Sequence, residues 1–155
     1  MLPLGSPLVR PNIMSSHLPT GLYTITNVGQ AQSAGHDLTR PTVKPIIGTD
    51  DKPIWVVEHT ELNFYRLTLH GFVTKAEENL VWSYLEPEIV GARWELQQSA
   101  PGSSTYSIVD TTLPPSRYHL VWALKERDAQ VSLDVRLGRE SGPNELWLFE
   151  PVNPE

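Results

Sequence analysis

Apolar and polar residues alternate with period two in many short stretches of this chain, and the stretches recur. GLYTITN around Tyr23 returns as NFYRLTL around Tyr65 and as STYSIVD around Tyr106, at steps of 42 and 41 residues. Alternation of this kind predicts half-buried strands, because successive side chains of a strand point to opposite faces. A second strand is expected after each: HDLTR at Leu38, ENLVWSYL at Leu80 and YHLVWAL at Leu120, lying 15, 15 and 14 residues beyond the tyrosines. Short β-rich runs follow (TVKPII, EIVGA and VSLDVRL), and a fourth set begins at a tryptophan: IWVVE at Trp55, WELQQ at Trp94 and LWLFEP at Trp147. Lys75 to Leu80 is built from good helix formers. The match of Leu80 to Leu38 and Leu120 favours a strand there instead.

Four strands in each of three units make twelve. Short antiparallel strands separated by Gly, Pro, Asn and Asp predict a closed all-β architecture, and three equivalent units closing one barrel predict a β-trefoil. The repeats fall at about 21–63, 64–104 and 105–152. Tyr23, Tyr65, Tyr106, Trp55, Trp94 and Trp147 then point inward as packing residues rather than as a ligand platform, because aromatic area dominates such a core.

Composition narrows this picture. With 155 residues the chain suits one domain, and its 14 Pro and 10 Gly favour turns over long helices. The absence of cysteine excludes disulfides, thiolate metal sites and a cysteine nucleophile. A net charge of −6 gives no footprint for nucleic acid or for an anionic membrane. No apolar stretch approaches the ~20 residues of a membrane span. Residues 1–20 hold four prolines and no sustained apolar run, which argues against a signal peptide and for a cytoplasmic product. They read as a disordered extension before a domain at 21–155. Met14 is a natural start just before the first patterned segment.

Catalytic chemistry is not legible. His17, His36, His59, His70 and His119 lack metal-ligand spacing, and no nucleophile elbow or phosphate-binding glycine loop is present. Gly102-Ser103-Ser104 reads as a turn, and Glu77-Glu78 as a solvated hairpin tip. Neither an enzyme, a metal nor a cofactor is expected.

Function on such a scaffold belongs to its loops. Trp82 and Trp122 each fall two residues after the aligned leucine, where the first unit has Arg40. Beyond Arg40 lies Pro41-Thr42-Val43-Lys44-Pro45, stiffened by two prolines. A stiff, extended, basic loop loses little entropy on entering a protease cleft, and its arginine suits an acidic specificity pocket. Equally, Arg40 can simply end a strand whose edge the prolines protect. A second loop, Gly29 to Gly35 (GQAQSAG), carries small residues of the sort found in a flexible hairpin.

The opening Gly21, Tyr23, Ile25 and Asn27, the Ile54–Glu58 and Trp94–Leu96 strands and the closing Pro143–Phe149 run resemble the fungal β-trefoil serine protease inhibitors, the cospin-like family, over residues 21–152. The resemblance implies a monomeric inhibitor of a trypsin-like serine protease. It places the contact residues in the loop between the second and third strands, at Thr39, Arg40, Pro41, Thr42 and Lys44. In architecture the chain is also similar to the mycocypins, which inhibit cysteine proteases through other loops, and that points to Gly29–Gly35 as an alternative surface. A carbohydrate-binding trefoil lectin is a further alternative, although the Q-x-W repeat of ricin-like lectins is missing.

Overall fold

Six strands close on one another without an edge. In the computed structural model, which describes residues 17–36, 42–85, 93–111, 118–137 and 141–152, the strands are β1 (Gly21–Asn27), β2 (Ser33–His36), β3 (Val43–Thr49), β4 (Trp55–Glu61), β5 (Phe64–Leu69), β6 (Phe72–Glu77), β7 (Leu80–Tyr84), β8 (Trp94–Gln98), β9 (Thr105–Asp110), β10 (Tyr118–Ala123), β11 (Ser132–Leu137) and β12 (Trp147–Pro151). Antiparallel pairing runs β1–β4–β5–β8–β9–β12 and returns from β12 to β1. Each unit's first and fourth strands thus enter the barrel, and closure removes the exposed edges that an open sheet would present. The second and third strands form hairpins β2–β3, β6–β7 and β10–β11. These hairpins meet across one end through β3–β7, β7–β11 and an Ile47–Gln130 bridge. The chain is a β-trefoil.

The repeated aromatics hold the barrel. Tyr23 pairs with Trp55, Tyr65 with Trp94 and Tyr106 with Trp147, so each unit sets its own tyrosine beside its own tryptophan. All six are buried. The indole N–H groups donate to the second strand of the same unit: Trp55 to the Ala34 carbonyl, Trp94 to Thr74 Oγ1 and Trp147 to the Trp122 carbonyl. Burial without loss of hydrogen bonding is what lets these amphipathic rings serve as core. The Tyr65 hydroxyl donates to the Leu18 carbonyl, and burial pushes its pKa up to about 12. Residues 17–20, which the sequence reading places in the extension, are tied to the barrel. Tyr23 donates to the Pro19 carbonyl, the His59 amide donates to Thr20 Oγ1, and the His17 ring lies 5.0 Å from that of His59.

Two strand assignments differ from the sequence reading. Leu80–Tyr84 is the third strand of its unit, and the second is Phe72–Glu77, a segment the sequence reading leaves without a strand. The first unit's second strand is Ser33–His36; Asp37 to Arg40 lie outside the described residues, as does the EIVGA run. Pairing with the first strand sets the true equivalence: Thr26 opposes Ser33, Thr68 opposes Val73 and Val109 opposes Val121. Counterparts of Trp122 are therefore Ala34 and Thr74, one residue further along. Trp82, opposite Pro45 and Lys75 on the third strand, is not among them. The break in threefold symmetry is Trp122 itself. Its ring stands edge-on to Trp55, Trp94 and Trp147 at 6.2, 5.2 and 5.9 Å, filling the axis for all three units.

Candidate functional site

The loop joining β2 to β3 spans residues 37–42, and its two stems rest on the second unit. On the entering side, the last β2 residue, His36, sets its ring 4.9 Å from Phe72 and 5.7 Å from His70. On the leaving side β3 stays paired with β2 only from Ile46 onward, because His36 opposes Ile46. Its first residues cross to β7 instead: Val43 opposes Tyr84, Lys44 opposes Ser83 and Pro45 opposes Trp82. Proline fits here because its missing N–H is not asked for a ladder bond with β2. The Leu85 amide donates to the Thr42 carbonyl at 3.2 Å, and Ser83 Oγ donates to the Lys44 carbonyl at 2.9 Å. The Lys44 ammonium lies 5.3 Å from the centre of the Phe72 ring.

Both stems thus converge on Phe72. That ring is presented by a tight turn, since Leu69 opposes Phe72 and the intervening His70 and Gly71 have φ of 52° and 83°. Both positive values describe a type I′ turn, in which the glycine carries no steric cost. The electrostatics of the entering stem follow from burial. Desolvation first, then the nearby His70 and Lys44, lower the His36 pKa to about 4. His36 is neutral at neutral pH and packs as an aromatic.

Of the residues expected to touch a protease, Thr42 is exposed at the loop's leaving end, and Lys44 lies in the stem with its side chain on Phe72. Thr39, Arg40 and Pro41 lie outside the described residues. The sequence reading missed the supports His36, His70 and Phe72. The signal was an aromatic directly after a Gly turn, at the head of an unassigned alternating run.

The second loop, Gly29–Gly35, is not the slack hairpin that its composition suggests. The Asn27 side chain, fully buried, accepts from the Gln30 amide and donates to the Asn144 carbonyl. Gly29 donates to the Pro143 carbonyl, and a Cβ placed on it would lie 2.1 Å from Asn144 Oδ1 and 3.0 Å from the Pro143 backbone. The buried Gln32 amide bonds Asp50 and Asp128, while Arg127 reaches Asp50 and the Gln30 carbonyl. Hydrogen bonds from Gln32 and Arg127, with Arg127's charge behind them, lower the Asp50 pKa. Four loops from two units are locked together.

The model of the peptidase inhibitor I66 family matches residues 14–151, and the chain belongs to that family. It is accordingly a peptidase inhibitor and not an enzyme. None of the curated protein sequences matches it. Among solved structures it is similar to a proteinase inhibitor from Coprinopsis cinerea, with a TM-score of 0.72 and 20% identity over 87% of this chain and 99% of that one. A salivary protein of Culex quinquefasciatus from a cysteine- and tryptophan-rich family gives 0.65 and 20% over 88% and 96%. The C-terminal half of an earthworm R-type lectin, in complex with GalNAc, gives 0.53 and 17% over 85% and 98%. At these identities the structural likenesses establish the trefoil fold.

Proposed function

We propose that this peptidase inhibitor acts on a trypsin-like serine protease as a monomer in a one-to-one complex, through the loop between β2 and β3. Arg40 fills the primary specificity pocket, with Thr39, Pro41 and Thr42 along the cleft. Lys44 supports the loop from below through its contact with Phe72. The observation that carries this reading is the bracing of both stems on the second unit, because a loop held at both ends pays less ordering entropy on docking. Proline after Arg40 also disfavours cleavage of the bound loop, which suits an inhibitor over a substrate. The complex needs no cofactor.

The decisive experiment is a trypsin titration. Wild-type protein at micromolar concentration is expected to inhibit, and Arg40→Ala to weaken inhibition by about 100-fold or more, as loss of a buried charged anchor does. Lys44→Ala should weaken it far less. No inhibition of trypsin and related serine proteases, or an unchanged Arg40→Ala variant, overturns the assignment.

A second reading has its own observation in favour. Within the clamped Gly29–Gly35 segment Gly29 and Ala31 are exposed small residues suited to the narrow cleft of a cysteine protease, while Gln32 to Gly35 are buried. Papain inhibition that survives Arg40→Ala and is lost in a folded variant with bulk at the exposed Ala31, Ala31→Trp, supports it. A papain assay without inhibition removes it.

A further inference from the structure

Two histidines from distant parts of the chain meet where residues 17–20 cross the barrel. The His17 and His59 rings are 5.0 Å apart and tilted by 50°. His59 opposes Tyr65 across β4 and β5, while Glu58 and Arg66, which oppose each other, face the other side of the sheet. A carbonyl can only accept, so His59 Nε2 carries the proton in its bond to the Leu62 carbonyl, and Nδ1 of the neutral ring holds a lone pair. His17 Nδ1 is buried with no hydrogen-bond partner among the described residues. Either tautomer leaves that nitrogen unsatisfied, a state that buried polar atoms rarely keep. Both rings are held in place. The Tyr65 hydroxyl donates to the Leu18 carbonyl, Tyr23 to the Pro19 carbonyl and the His59 amide to Thr20 Oγ1, all within three residues of His17.

The geometry points to a site for one divalent transition metal of zinc's type, held by Nδ1 of His17 and Nδ1 of His59. Imidazole nitrogens bind zinc at about 2.0–2.1 Å, and two rings on one tetrahedral ion then have their centres about 5 Å apart. The observed separation is 5.0 Å. Metal-bound histidine almost always donates its other N–H to a carboxylate, a backbone carbonyl or water, and the Leu62 carbonyl already takes that of His59. Nitrogen donors favour zinc and its neighbours over magnesium or calcium, which take oxygen ligands. Among the described residues no third His, Asp or Glu joins the pair, and both histidines are half-buried, so water completes the coordination. Tyr65 is not a ligand, because its hydroxyl is spent on Leu18. The His36 and His70 rings are farther apart at 5.7 Å and have Lys44 beside them, which disfavours a second cation. Sequence spacing gave no hint of the site, since its ligands meet only through the fold. The ion pins residues 17–20 to β4, whereas the inhibitory loop is braced by β3, β6 and β7.

Titration of the ¹⁵N-labelled full chain with zinc chloride, followed through the histidine ring resonances, tests the assignment. Zinc at submillimolar concentration is expected to move the His17 and His59 signals together and saturably, and to raise the thermal midpoint of the wild type. Magnesium chloride should do neither. His17→Phe keeps a ring against His59 but removes the nitrogen, and should weaken zinc binding about tenfold or more and abolish the thermal shift. His59→Gln serves as the second variant with the same expected loss, and His36→Phe should bind zinc as the wild type does. No saturable movement of both signals, or movement led by His36, His70 or His119, overturns the site. Wild-type zinc affinity in folded His17→Phe or His59→Gln also refutes it. A magnesium response equal to that of zinc overturns the class of metal. Trypsin inhibition should not change in His17→Phe, so failure of this site and failure of the inhibitory loop are read independently.

Discussion

Trp122 is the residue on which the three units most depend. Its ring stands against all three barrel tryptophans, and its own N–H finds no hydrogen-bond acceptor among the described residues, so it contributes through volume and ring contact. Trp122→Ala should cost about 3–5 kcal/mol of unfolding free energy, the range for deleting a buried aromatic that neighbours cannot replace. Urea denaturation measures it. His36 makes a pH prediction of definite sign. Its folded pKa of about 4 lies below the unfolded value near 6.5, so between those limits the unfolded chain binds more protons. Its contribution is therefore complete above about pH 6.5 and is lost as the pH falls toward 4. The urea midpoint of wild type should drop over that window more than that of His36→Phe, which cannot titrate there. At this scale the sequence was clearly readable for the tyrosines and barrel tryptophans, because each carries its strand's alternation. His36 gave no such signal, since its burial comes from Phe72 and His70 on another unit.

Among the elements, the barrel strands were legible and the cap hairpins only partly so. The error came from Leu80-Val81-Trp82 and Leu120-Val121-Trp122, identical triplets that occupy a third strand and a second strand respectively. Local pattern cannot separate them, because a strand's place is set by its partners in other units. The exception to threefold symmetry that singled out Arg40 was drawn from that misalignment. What now supports the loop is its stems. Turn geometry was also hidden: Glu77 opposes Leu80, and Glu78 and Asn79 between them have φ of 55° and 63°, which makes a type I′ turn with glutamate in a left-handed position. A double change, Glu78→Asn with Asn79→Gly, should stabilise the protein by about 1 kcal/mol, since each new residue adopts that region more readily. A raised thermal midpoint with unchanged trypsin inhibition is the expected result.

In the whole molecule, closure makes every unit a neighbour of the other two. The β1–β12 pairing joins the first strand to the last, and the hairpins interlock at the cap. Tryptophan fluorescence and far-ultraviolet circular dichroism should therefore report one coincident denaturation transition. Separated transitions would mean that a unit melts alone. Many contacts are long-range, so refolding should fall in the millisecond-to-second range of all-β domains. The axial indole also limits how this chain can be simplified. A symmetric protein made from three copies of the first unit would carry three alanines around an empty axis, and one made from three copies of the third would force three indoles into the space of one. Neither repeat is a self-sufficient building block. The division of labour among them, one unit filling the centre and another bracing the stems of the β2–β3 loop, means that any engineered trefoil derived from this sequence must retain at least two distinct kinds of repeat.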